Sequence, residues 1–266
     1  MHEINGYALE LFIGLILGRG ITSRNSTFPQ LAFMGQIYLV RHGQASFGAT
    51  DYDQLSDLGA EQSRMLGGWF ASSGIQFSHV VTGGMKRHRQ TAEACCSALS
   101  VPPAEAWITE SGFDEYDHDD VLSRCRPGFD EPGAIRQFIA KSKVPQDSFL
   151  QIFEESMRRW MGGKHDGEYR ESWPAFRARC HAALERLVAT ADPKGNTVVF
   201  TSGGTIATLC QPLLAYPDTQ VAALTWNLVN SSATKLINRA GRVTLSTLNS
   251  HAHLEQAGRA HAITYR

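Results

Sequence analysis

The chain has 266 residues, 42% hydrophobic and 19% charged, with a formal net charge of −1. That balance suits a globular chain able to bury a real core as one large or two small domains. It excludes a global electrostatic pull toward nucleic acid or an anionic membrane, so any anion site must be built locally.

The first 33 residues differ in character from the rest. Residues 9–17 are apolar but too short to span a bilayer, and Gly14 interrupts them. Met1-His2-Glu3 lacks the basic start of a signal peptide. A polar stretch over residues 22–30 reads as linker, and Met34 stands directly before the first convincing strand. We expect residues 1–33 to be a disordered or misassigned extension, with Met34 the natural start and a single domain over 34–266. A weak membrane-contacting or export segment is the competing reading of that extension.

From Met34 onward, strand and helix patterns alternate. Residues 37–41 are a short apolar run that ends in a loop with Gly43 and Gly48. Ser56 is placed to cap a helix carrying Leu58, Met65, Leu66, Trp69 and Phe70 on one side. A second strand is predicted over 77–82, then Gly83-Gly84 and a helix over about 85–99. Pro102-Pro103 breaks the chain before a short strand at 107–109. Between residues 114 and 171 the pattern turns helical, interrupted by Pro127, Pro132, Pro145 and Gly162-Gly163. This part reads as a helical insertion lying over the sheet and its functional edge. Ser172, with Pro174 in the first turn, caps a helix reaching about residue 191. After a turn at 192–196, residues 197–201 are a β-branched strand, and Ser202-Gly203-Gly204 opens a helix through residue 214. Two last strands, 232–238 and 243–248, flank a turn at 239–242.

This order predicts an α/β three-layer sandwich, with a mostly parallel central sheet and helices on both faces. In such sheets ligands bind beyond the carboxyl ends of the strands. Those ends carry Arg41-His42-Gly43, Thr82-Gly83-Gly84 and Thr201-Ser202-Gly203-Gly204, which can converge on one crevice. Histidine can form a covalent intermediate. Arginine offers a permanent charge and a planar fork matched to phosphate oxygens. Glycine lets the backbone approach an anion closely. The basic run Lys86-Arg87-His88-Arg89 would ordinarily be a solvated helix face. In the first turn of a helix, beside free N–H groups and the positive dipole end, it strengthens an anion site instead.

The five cysteines include one adjacent pair and no zinc-type spacing, which favours reduced thiols in a cytoplasmic protein. Gly162-Gly163-Lys164 lacks the leading glycine and the hydroxyl of a phosphate-binding P-loop. Ser202 lies where a serine hydrolase elbow would, but Phe200 stands where that motif needs glycine.

Three ordered motifs, Val40-Arg41-His42-Gly43-Gln44, Leu55-Ser56-Asp57-Leu58-Gly59-Ala60-Glu61-Gln62 and Lys86-Arg87-His88-Arg89-Gln90-Thr91-Ala92-Glu93, resemble the histidine phosphatase superfamily, the relatives of cofactor-dependent phosphoglycerate mutase. The resemblance runs over about residues 36–254 and is specific for the superfamily, not for one member. It implies that His42 attacks phosphorus and becomes a phosphohistidine, with Arg41 and Arg87 holding the phosphoryl oxygens. It also implies a carboxylate that protonates the leaving oxygen and later activates water. Glu115 is assigned that role, with Asp114 and Asp117 as fallbacks; without the resemblance, this acidic run reads as a solvated loop. Gly43, Gln44, Ser202, Gly203 and His118 are the candidate substrate-binding residues, and no metal or cofactor is implied.

One departure stands out. The family carries a second histidine in a Ser-His-Gly-Gly type sequence, and here Ser202 takes that place. Serine donates only a neutral hydrogen bond, and losing a charge-assisted one costs on the order of 1–2 kcal/mol, about tenfold in rate. His118 and His253 are candidates to replace it, although a surface histidine is the commoner outcome. The mutases also carry an asparagine after the Arg-His-Gly turn, whereas position 48 is Gly48 and Ala45-Ser46-Phe47 gives little polar grip. Phe47, Tyr52 and Tyr116 suggest an apolar specificity wall, though aromatics are more often core. The expectation is a metal-independent, cytoplasmic phosphomonoester hydrolase acting on a small phosphorylated metabolite or phosphoprotein. It includes no nucleic-acid partner and no stable membrane insertion. The alternatives are a catalytically weak or inactive relative that binds a phosphorylated ligand, and a mutase-type phosphotransferase.

Overall fold

The computed structural model describes residues 35–46, 53–131, 133–141, 144–256 and 259–265. The expectations for residues 1–33 and for Phe47, Gly48 and Tyr52 therefore lie outside the described residues.

In chain order the elements are β1 (Gly35–Arg41), α1 (Asp57–Ser72), β2 (His79–Thr82), α2 (Lys86–Cys96) and β3 (Ile108–Thr109). The insertion follows as α3 (His118–Ser123), α4 (Ala134–Ala140) and α5 (Pro145–Met161). Then come α6 (Trp173–Thr190), β4 (Asn196–Thr201), α7 (Gly203–Leu214), α8 (Asp218–Asn227), β5 (Ala233–Arg239), β6 (Arg242–Ser250) and α9 (Ala252–Glu255). The six strands form one sheet in the order β3-β2-β4-β1-β5-β6. The first four run parallel, and β5 and β6 add an antiparallel edge.

The apolar run of β1 explains why it sits inside the sheet. Side chains alternate across a strand, and both faces of β1 are covered. Ile37 and Leu39 enter one core with Val81, Val199, Phe176, Ile206 and Leu209. Tyr38 and Val40 enter the other with Val80, Val198, Phe200, Leu66, Phe70 and Cys95. Helices α1 and α2 thus cover one face while α6 and α7 cover the opposite one, giving the three predicted layers. The insertion joins the α6/α7 side through Phe153, Met157 and Trp160 of α5, all buried in that same core.

Local signals set the helix starts. Ser56 Oγ accepts from Gly59 N (3.0 Å) and Ser172 Oγ from Ala175 N (3.4 Å), the N-caps read from sequence. Helix α2 is shorter than expected, closing at Cys96 with Ser97 N donating to Glu93 O. Helix α8 has no counterpart among the predicted elements, because only Val221 and Thr225 of it are buried. That stripe is too thin for hydrophobic periodicity to announce. Among the described residues, no helix is long and apolar enough to cross a membrane.

His253, on α9, is 4% exposed and packs near Trp69 of α1, ring centroids 6.4 Å apart. Burial, and then the neighbouring His251, push it down to about 4. The unfolded chain therefore binds a proton below pH 6.5 that the folded chain refuses until about pH 4. The contribution to stability is complete above pH 6.5 and is lost as pH falls through that window. His253→Leu is expected to lose on the order of 3 kcal/mol less stability than the parent between these limits. Urea unfolding at stepped pH measures the difference; parallel profiles would refute it.

Candidate active site

Strands β1 and β4 pair with Arg41 opposite Thr201. His42 N donates to Thr201 O (2.9 Å), so His42 and Ser202 leave the sheet side by side. Gly83 N donates to Phe200 O (2.9 Å), bringing the end of β2 to the same edge. Gly43 N donates to Thr91 Oγ1 (3.1 Å), fastening the His42 loop to α2. The three strand ends singled out in sequence thus meet at one place.

His42 is 6% exposed, and its Nδ1 lies 2.7 Å from Gly43 O. A carbonyl oxygen only accepts, so Nδ1 carries the hydrogen and Nε2 keeps its lone pair. Burial first, then the charges of Arg87 and Arg41 and the nearby His88, hold this imidazole well below its ordinary value. It is neutral at physiological pH, the form that can attack.

Arg41 donates from Nη1 to Leu228 O and from Nη2 to Tyr265 O (3.1 Å), so late backbone braces its fork. Gly203 lies against it: a Cβ there would stand 3.4 Å from Arg41 Nε. Arg87 donates from Nη1 to Asp53 Oδ1 (2.8 Å), while Asp53 Oδ2 accepts from Lys86 N (2.9 Å). Asp53, which sequence reading passed over, therefore steadies Arg87 and the first turn of α2 together.

The three acidic candidates separate by their partners. Glu115 is buried, and its Oε2 accepts from Gly204 N (2.9 Å) at the start of α7, where the helix dipole favours a carboxylate. Gly204 is required here, since a Cβ would overlap Glu115 Oε1 and the Tyr116 ring. Asp114 accepts from Gly84 N, and burial raises its carboxyl. Asp117 caps α3 by accepting from Asp120 N (3.0 Å) and pairs with Arg170 (2.7 Å). Glu115 is the one held by the first turn of α7.

The remaining candidates have mixed placements. Gln44 Oε1 accepts from Ser56 Oγ (2.9 Å), so its side chain holds the start of α1. His118 lies on Tyr116, ring centroids 4.4 Å apart, close enough to Glu115 and Arg87 to feel both charges; burial lowers it. The imidazole beside Ser202 is neither His118 nor His253. It is His88, fully buried, with Nε2 2.7 Å from Ser202 Oγ and its ring centroid 5.9 Å from that of His42. Burial, and then Arg87, hold it well below its ordinary value. A signal for it existed: Arg87, His88, Thr91, Ala92, Cys95 and Cys96 are the buried stripe of α2 at helical spacing.

A serine–histidine pair invites comparison with a serine hydrolase. Ser202 is fully buried, Gly204 N is committed to Glu115, and His88 Nδ1 stands 3.9 Å from Asp114 Oδ1, beyond bonding reach. That arrangement leaves Ser202 neither a free Gly204 donor for an acyl oxyanion nor a carboxylate bonded to its histidine. Among the described residues, no group of three or more His, Cys, Asp or Glu side chains is arranged to hold a metal ion.

Residues 37–125 and 142–251 match the family model of the histidine phosphatase superfamily (branch 1). Among solved structures, a phosphoglycerate mutase from Bacillus anthracis is similar at 17% identity and TM-score 0.56, over 85% of this chain and 97% of that one. A mycobacterial glucosyl-3-phosphoglycerate phosphatase is similar at 22% identity and TM-score 0.54, over 82% and 99% of the two chains. A phosphoserine phosphatase from Entamoeba histolytica, in complex with 3-phosphoglyceric acid, gives 19%, 0.54, 83% and 99%. At these identities the likeness speaks for the fold. A comparison with curated proteins finds no match.

Proposed function

The chain belongs to the histidine phosphatase superfamily, and on that premise we propose that it is a phosphomonoester hydrolase working through a phosphohistidine on His42. The observation that carries this reading is the His42 ring: neutral, with Nδ1 bonded to Gly43 O and the Nε2 lone pair available. In the proposed cycle Nε2 attacks phosphorus as the P–O bond to the leaving group breaks. Glu115, in its acid form, gives that oxygen a proton. The Glu115 carboxylate then takes a proton from water, whose oxygen attacks phosphorus as the P–N bond breaks, releasing phosphate and neutral His42. Arg41 and Arg87 offset the negative charge on the phosphoryl oxygens.

Two local facts favour hydrolysis over the alternatives. Ser46 Oγ donates to Leu55 O (3.0 Å) and Gln44 is engaged with Ser56, so neither offers a sugar acid the grip a mutase needs. An imidazole stands beside Ser202, where a binding-only relative would need none. The proposed substrate is a small phosphorylated metabolite or phosphoprotein. Five free cysteines suit a reducing, cytoplasmic setting.

The test is rapid quenching into alkaline detergent during turnover of radiolabelled 4-nitrophenyl phosphate. An alkali-stable, acid-labile phosphoprotein mapped to His42, with a burst of nitrophenol, is expected. Turnover without label, or label elsewhere, would sink the mechanism, and binding without turnover would favour the binder.

A further inference from the structure

We propose that His88 is the second imidazole of this site, a positioning residue that acts through the Ser202 hydroxyl on the phosphoryl group carried by His42. The inference rests on the phosphohistidine reading above. A serine hydroxyl has one hydrogen. If Ser202 donated it to His88 Nε2, across the 2.7 Å that separate them, none would remain for a ligand. If Nε2–H instead donates to Ser202 Oγ, the hydroxyl hydrogen is left to point at a phosphoryl oxygen. An arriving phosphoryl anion selects the second arrangement, because the bond it accepts is charge-assisted. The switch moves one proton: an arriving phosphate monoester monoanion gives its O–H proton to Ser202 Oγ as Oγ passes its own to His88 Nε2, so a phosphate O–H bond breaks, an imidazole N–H bond forms, and the hydrogen bonds are redirected.

The surroundings are shaped for this ring. A Cβ on Gly83 would overlap His88 Nδ1 and crowd Asp114 Oδ1, so the exit from β2 carries glycine where the imidazole lies. Asp114 Oδ1, 3.9 Å from Nδ1, faces the far edge of the ring, where it favours a cation formed next to bound phosphate. Among the described residues, Nδ1 is buried without a hydrogen-bond partner, a cost of about 1–3 kcal/mol that packing alone does not explain. The charge that Ser202 cannot supply from β4 is thus delivered from α2, one residue past the Arg87 clamp.

The experiment compares His88→Ala, His88→Gln, Ser202→Ala, His88→Ala/Ser202→Ala and the exchange variant His88→Ala/Ser202→His, using 4-nitrophenyl phosphate. Loss of the imidazole or of the hydroxyl is expected to lower kcat about 10–100-fold with KM nearly unchanged. The double alanine variant should be no worse than either single, because the two act in series. His88→Gln keeps a donor to Ser202 without the charge and should fall between, and the exchange variant should recover most of kcat. Wild-type kcat in both His88 variants overturns the inference, as do losses that multiply in the double variant. If His88→Ala does not fold, His88→Gln decides alone. Phosphohistidine in the wild type alongside unchanged His88 variants refutes only this inference; its absence from the wild type refutes the underlying reading as well.

Discussion

His42→Ala is expected to lower turnover of any phosphomonoester by about 10⁴-fold or more and to eliminate the phosphoprotein. The size follows from the lack of a substitute nucleophile among the described residues. His88 has its Nε2 engaged with Ser202, and Asp114 stands 3.9 Å from His88 Nδ1, too far to complete a relay that would make Ser202 a nucleophile. Cys180, in the core behind Glu115, is pushed up to about 12 by burial, so no thiolate forms there. Binding should survive, since Arg41 and Arg87 do not depend on His42 for their braces. Calorimetry with a substrate ester should give a Kd within a few-fold of the parent, while kcat collapses. The pH profile sharpens the point. Burial and the two arginines hold His42 well below its ordinary value, so it stays unprotonated and able to attack as pH falls through 6.5. Phosphoenzyme formation should be level across that pH, and a decline centred there would contradict the assignment.

Glu115→Gln is the second large effect, about 10²–10⁴-fold for an ester of an aliphatic alcohol. The amide keeps an oxygen that can accept from Gly204 N, so the start of α7 is undisturbed while the transferable proton is lost. A leaving group that needs no proton separates the two half-reactions. With dinitrophenyl phosphate, His42 phosphorylation should stay near the parent rate while hydrolysis slows, so phosphoenzyme accumulates. Equal losses for aliphatic and dinitrophenyl esters would mean that Glu115 only positions other groups. Asp114→Asn would then be the next variant to measure.

The sheet was legible because its central strands are buried on both faces, and Val40, Val199 and Phe200 leave little ambiguity. Ser56 and Ser172 announced their helices by the chemistry of capping. Helix α8 was silent because two buried residues make no pattern. In the site, the motif residues at strand ends could be placed because the sheet fixes where strands end. His88 could not, because its partner Ser202 lies 114 positions away and the pairing arises only when α2 packs beside β4. Asp53 was hidden for the same reason, as its carboxylate matters only once α2 begins beside it.

The bracing of Arg41 has a consequence for the order in which this protein becomes an enzyme. Its guanidinium rests on the carbonyl of Tyr265, 224 positions further along. Gln62 on α1 likewise donates to Ala262 O (2.7 Å) and Thr264 Oγ1 (2.8 Å), and Asn230 N donates to Thr264 O (2.8 Å). A ribosome delivers His42, the proposed nucleophile, and Arg41 well before their fastenings at residues 262–265. Contacts of such long sequence separation form slowly. The nascent chain exposes His42 long before the pocket can hold its shape, and competence arrives only as residues 262–265 dock.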